Sequence, residues 1–150
     1  MPHVTGLIHT KGCVVKIYLA GPIHGCTDLD CRAWRGVARS YIESAGHQVL
    51  DPMERDYRGS EEEYYEDLVA EDKEDIECAD AVLVNANRPS WGTAMEVMYA
   101  VSFGKKVVAF ATYTLSPTIS PWLRCHCDAI FGSIDTAIAG MLDGSAKGMR

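Results

Sequence analysis

Long apolar runs are missing from this 150-residue chain; its longest are about the length of a β-strand, so no segment reads as a membrane-crossing helix. The first twelve residues lack both a basic start and a continuous apolar centre, so they do not read as a secretory signal. Residues 1–13 and 144–150 are expected to be flexible ends of a single domain spanning 1–150. Any CxxC pair is missing too. Without a signal, the six cysteines (Cys13, Cys26, Cys31, Cys78, Cys125, Cys127) are expected to be reduced thiols of a cytoplasmic protein. Cys125-His126-Cys127 looks like a ligand cluster, but no second pair accompanies it. A buried or surface thiol pair is therefore a better expectation than zinc, and no metal or other cofactor is expected. Positive charge is scarce: 14 Lys and Arg face 21 Asp and Glu, a net −7 that argues against a nucleic-acid polymer as partner. One local pocket can still oppose that field and hold a small anion. Repeats and low-complexity linkers are also absent.

What is present alternates. Val14 to Ala20 is a short β-branched run ended by Gly21-Pro22 and reads as a buried strand. Thr27 or Asp28 can cap a helix running to about Ala45, with an apolar stripe of Trp34, Val37, Ala38, Tyr41 and Ile42 and Gly46 as its stop. His47 to Leu50 reads as a second strand, Met53 to Gly59 as a polar loop, and Ser60 to about Cys78 as an acidic helix. Ala81 to Val84 and Lys106 to Ala111 are further strands, with a helix between them that ends at Phe103-Gly104. Thr112 to Pro121 is expected to be loop, Ala129 to Phe131 a fifth strand, and Ile134 to Leu142 a short helix. The pattern predicts an α/β fold of doubly wound type, with a mainly parallel sheet of four or five strands and helices on both faces. In such sheets ligands lie beyond the carboxyl ends of the strands, which singles out loops 21–27, 51–59 and 85–91.

Glu96 stands alone in an otherwise uncharged run from Trp91 to Gly104, on a helix apolar nearly all round and therefore expected in the core. A carboxylate there must be capped, paired or chemically employed. Thr93-Ala94-Met95-Glu96 matches a capping box, although Ser90 already offers a cap to the same helix. In the preceding acidic helix, ten of residues 61–77 are Asp or Glu. The apolar stripe Tyr65, Leu68, Ile76, Ala79 puts only Asp72 of these on the buried side. Glu66, Asp67, Glu71, Glu74 and Glu77 read as solvated, and Asp80 as a turn or cap residue. Two inward carboxylates on helices flanking one strand suit an acid and nucleophile pair.

The segments "IYLAGPIHG", "EDKEDIECADAVLVN" and "SWGTAMEVMYAVSFGKKVVAF" resemble the nucleoside 2-deoxyribosyltransferase family, which includes nucleoside 5'-monophosphate N-hydrolases. The resemblance runs from about Lys16 to Ala111, and its specific part is G-T-A-x-E with Asp72 placed 24 residues before Glu96 and eight before Asp80. It implies that Glu96 attacks the anomeric carbon as nucleophile, that Asp72 binds and protonates the leaving base, and that Tyr18 hydrogen-bonds the nucleophile. That is the double displacement of retaining glycosidases, with carboxyl groups about 5 Å apart.

One departure decides the expected substrate. The nucleoside transferases carry an Asp six residues before the nucleophile, to engage the sugar 5'-hydroxyl, whereas this chain has Ser90, as the monophosphate hydrolases do. A hydroxyl at a helix start can donate to a phosphate that a carboxylate would repel. Gly21, Ile23, His24 and Gly25 would add backbone N–H groups, with charge from His24, and Gly92 of the same motif is expected at the substrate. Ser90 as a plain N-cap is the competing reading. Trp34, Arg35, Asp51, Met53 and Arg55 are expected near the base and sugar end, Trp34 more as core. The resemblance also implies a homodimer or higher homo-oligomer with shared sites, for which Ser116, Ser120 and His126 are candidate contributors. The expected function is N-glycosidic cleavage of nucleoside or 2'-deoxynucleoside 5'-monophosphates. Base exchange on free deoxynucleosides is the first alternative and a non-catalytic nucleotide-binding domain the second.

Overall fold

Five short strands, β1 (Lys16–Ala20), β2 (Gln48–Leu50), β3 (Ala81–Asn85), β4 (Lys106–Phe110) and β5 (Ala129–Phe131), pair in the order β2-β1-β3-β4-β5, every pair parallel. The computed structural model describes residues 12–112 and 119–143. The stretches 1–11 and 144–150, expected to be flexible, and Ser116 lie outside the described residues. Helices α1 (Asp28–Ser44), α2 (Glu61–Cys78), α3 (Trp91–Ser102), α4 (Pro121–His126) and α5 (Ile134–Leu142) connect or follow the strands.

Alternation along the strands builds two cores. Ile17, Leu19, Leu83, Val108 and Phe110 face Ala38 and Ile42 of α1 and Ile138 and Met141 of α5. Tyr18, Ala20, Val82, Val84 and Val107 face Ile76 of α2 and Val97 and Ala100 of α3. All five residues of central β3 are buried, because neighbours cover both its faces. Each Val or Leu so buried contributes roughly 1.5–3 kcal/mol. The chain moves outward from β1 to β2 and then returns across it to β3, so the strand order reverses between β1 and β3. A crevice opens there at the carboxyl ends. At the opposite, amino ends of these strands Asp80 accepts from the Lys16 N–H at 2.7 Å, the turn role expected of it. Gly46 (φ 85°) and Gly104 (φ 69°) end α1 and α3 in the left-handed region.

Several local expectations are corrected. In α1 the inward residues are Cys31, Arg35, Ala38 and Ile42, whereas Val37 and Tyr41 are exposed. Arg35 replaces apolar bulk on that face. Its Nη1 and Nη2 donate to the carbonyls of Cys31 (2.8 Å) and Gly21 (3.0 Å), and its Nε lies 3.3 Å from Asp51. Arg35 and Asp51 therefore brace the fold from inside. Trp34 is only partly buried; it packs edge-on against Phe110 with centroids 5.7 Å apart. Residues 52–54 form a 3-10 turn within the expected loop, opened by Asp51 accepting from the Met53 N–H. Residues 121–126, given no element above, form α4 behind a proline at its start. Cys125 on α4 is exposed and Cys127 just after it is buried, so the two thiols part rather than pair. In α2, Tyr65 is exposed rather than part of the buried stripe, and Tyr64 departs from helical geometry. Helix α3 is not a core helix all round: it buries Thr93, Val97 and Ala100, while Trp91, Met95 and Met98 face outward. No described helix is long and apolar enough to cross a membrane.

Candidate active site

Ser90 opens α3 in extended geometry, its Oγ accepting from the Thr93 N–H at 3.3 Å. The capping-box reading of Thr93 and Glu96 therefore fails: Ser90 is the cap, and one turn further on Glu96 is free to turn inward. Its Oε1 instead accepts from the Tyr18 hydroxyl at 2.9 Å. Tyr18 is wholly buried on β1, paired with Leu50 on one side and Val82 on the other, so its ring is fixed and its hydroxyl aims at α3.

The Glu96 carboxyl is pushed up from its ordinary 4.5 to about 8. Burial is the main cause and the negative charge of Asp72 the second, while the Tyr18 hydrogen bond and the Arg35 charge pull the other way. Asp72, with a side chain 14% exposed, is also raised by burial, against the guanidinium of Arg55, whose Nη2 donates to it at 2.8 Å. Tyr18 is raised well above its usual value, by burial and then by the two carboxylates. Three titrating groups from β1, α2 and α3 thus meet and perturb one another, a pattern common at catalytic sites.

These groups open into a cleft of about 770 Å³ lined by Gly21, Ile23, His24, Asp72, Ser90, Gly92 and Glu96, with Tyr18 reaching it through Glu96. Among the described residues the N–H groups of Ile23, His24 and Gly25 have no acceptor. Gly25 does not line the cleft; it sits at φ 72° in a turn closed by Cys26 N–H to Ile23 C=O. Gly21 is demanded by packing, since a Cβ there would stand 2.5 Å from the Trp34 ring. Ser120 and His126 line an adjoining cavity of about 510 Å³ on the α4 side of α3, which shares Ser90, Trp91, Thr93, Ala94 and Met98 with the cleft.

Met53 lines the cleft and Arg55 reaches its edge through Asp72, whereas Arg35 and Asp51 pair beneath it. Tyr57, Arg58, Lys73 and Tyr99 also line it and were missed. The rule for strand ends had marked loop 51–59, but nothing in it distinguishes Arg58 from its neighbours. The outward acids of α2 are not all solvated: Glu71 accepts from Tyr57 at 2.8 Å and Glu77 from Tyr99.

A parallel α/β sheet with a carboxyl pair and a buried tyrosine at its switch point defines an enzyme of small-molecule chemistry. The sequence profile described as nucleoside 2-deoxyribosyltransferase matches residues 17–134, and the chain belongs to that family. It is accordingly an enzyme of N-glycosidic chemistry, transferase or glycosidase. Among solved structures, the 2-deoxyribosyltransferase of Bacillus psychrosaccharolyticus aligns at TM-score 0.69 and 22% identity, over 90% of this chain and 99% of that one. A 2-deoxyribosyltransferase from Leishmania mexicana aligns at 0.63 and 23%, over 83% and 95%. A CMP N-glycosidase from Clostridium botulinum aligns at 0.54 and 15%, over 80% and 92%. At these identities the likeness concerns the fold. No curated protein sequence matches.

Proposed function

We propose that the protein hydrolyses the N-glycosidic bond of nucleoside or 2'-deoxynucleoside 5'-monophosphates. In this reading a Glu96 oxygen attacks C1', the C1'–N bond breaks with its electron pair going to the base, and Asp72 supplies the proton. Water then attacks C1' of the ester, giving its proton to Asp72 and releasing Glu96. The Tyr18 hydroxyl holds the attacking carboxylate in one orientation.

The observation that carries the substrate choice is Ser90, which lines the same cleft as Glu96 from the first turn of α3. Its oxygen accepts from Thr93, which leaves the hydroxyl proton free to donate to a phosphate. The Trp91 and Gly92 N–H groups at the helix start and the N–H groups of Ile23 and His24 line the same cleft, whose rim also carries Arg58 paired with Asp28 and Asp56. Base exchange on free nucleosides is the second reading, favoured by the fact that Ser90 already serves as a plain cap. Incubating the protein with nucleotides and nucleosides, with and without an acceptor base, and chromatographing the released bases separates the two. A 5'-monophosphate should outperform its nucleoside by at least about tenfold per charge-assisted contact. Ser90→Asp should erase that preference while sparing slow nucleoside cleavage. A wild type that prefers nucleosides and passes sugar to the acceptor would overturn the proposal.

A further inference from the structure

Arg55 lies in loop 51–59 and makes three contacts to one helix. Nη1 stands 2.6 Å from Asp75, Nη2 2.8 Å from Asp72 and Nε 3.1 Å from Glu71, the first two on the inner side of α2 and the third at its exposed edge. Its side chain is 25% exposed and those of Asp72 and Asp75 are 14% and 22%, so this cluster is not a loose surface pair. A guanidinium offers donors in a rigid fork, so three acceptors at once fix both its own plane and the acids it touches. The Glu71 oxygen that faces Arg55 also accepts from the Tyr57 hydroxyl at 2.8 Å. The fork therefore ties the loop after β2, which contributes Met53, Tyr57 and Arg58 to the cleft, to the carboxyl that faces Glu96.

We propose that Arg55 is a positioning residue for the leaving-group acid: its three-way clamp on Glu71, Asp72 and Asp75 fixes the Asp72 carboxyl in the cleft and sets its charge. This rests on the role given to Asp72 above. The charges facing Asp72 are Arg55 from loop 51–59, Glu71 and Asp75 on its own helix, Glu96 from α3 and the Tyr18 hydroxyl from β1, with Lys73 on the cleft wall. Arg55 is the only cation among them in contact with Asp72 in the described residues. Without it, burial and three neighbouring acids all favour the protonated form of Asp72. The clamp thus keeps Asp72 able to give up a proton to the base and take one back from water.

The test measures Asp72 itself. Carboxyl-carbon NMR of aspartate-labelled protein, with Asp72→Asn assigning the resonance, follows its titration in wild type, Arg55→Gln and Arg55→Lys. The Asp72 midpoint should rise by about 1–3 pH units in Arg55→Gln, as expected for loss of an adjacent opposite charge, and return most of the way in Arg55→Lys. Base release should fall in both, with the descending limb of kcat/KM moving up in pH only in Arg55→Gln. Should Arg55→Gln fail to fold, the pair Arg55→Gln with Asp75→Asn relieves the clustered acids and carries the same readout. An unmoved midpoint overturns the proposal. A moved midpoint in a protein that cleaves no nucleotide or nucleoside leaves the clamp standing and removes the function instead.

Discussion

At pH 7 a Glu96 carboxyl with a midpoint near 8 is mostly protonated, which is the wrong form for attack. kcat/KM should therefore climb about tenfold per pH unit on the acid side toward a maximum, with a descending limb set by the leaving-group acid on the other side, read from a pH–rate profile. Asp72 is the second cause of the raised midpoint, so Asp72→Asn should move that limb to lower pH while slowing base release about 100- to 10,000-fold. The loss should shrink on substrates with better leaving groups; equal loss on all would make Asp72 a packing residue. The same group bears on stability. Its folded midpoint lies above its unfolded one, so its contribution is complete below about 4.5 and is lost as pH rises from there through about 8. Glu96→Gln should thus abolish turnover and yet melt at a higher temperature than wild type above pH 8. A Gln variant that unfolds would return Glu96 to a structural role.

At the scale of elements, Arg35 reaches Glu96 only through its charge, while its guanidinium binds α1 to the loop that ends β1 and to the loop that ends β2. Breaking a buried ion pair from one side costs about 3–5 kcal/mol. Arg35→Met should approach the lower figure in urea unfolding, because Arg39 still stands 3.8 Å from Asp51. Such a brace is hard to read in sequence. The α1 stripe was right at Ala38 and Ile42 but too wide, because Val37 and Tyr41 score as apolar, whereas the buried line includes an arginine with partners 14 and 16 positions away. Elements set by local rules were legible: β-branched runs between Gly and Pro, helices stopped by Gly46 and Gly104, and Asp72 singled out by spacing. Glu96 was legible as an anomaly, and its partner Tyr18, which stands 2.9 Å away, was named through the family resemblance and not by any local pattern. Arg58 and Lys73 join the cleft only because α2 and the loop before it fold back over β1, which no local pattern encodes.

For the whole molecule, the unsettled surface is the outer face of α3 and its neighbour α4. Trp91 is 90% exposed and Met95 71%, both also on the rim of the cleft, and Trp122 is 73% exposed, in a chain whose sequence predicted α3 to be buried. Large apolar groups gathered in one region mark a surface meant to be covered, and a second copy of the chain fits the homo-oligomer expected of this family. Trp122 lines the cavity that holds Ser120 and not the cleft that holds Glu96, so it separates assembly from chemistry within one chain. Sedimentation should show wild type as a dimer or larger, and Trp122→Glu should shift it toward monomer by placing a charge in the contact. If each site borrows a residue from its neighbour, base release should fall with that dissociation and recover at high protein concentration. A monomeric Trp122→Glu protein with full activity would mean that each site is complete in one chain. A variant that stays assembled would place the contact elsewhere.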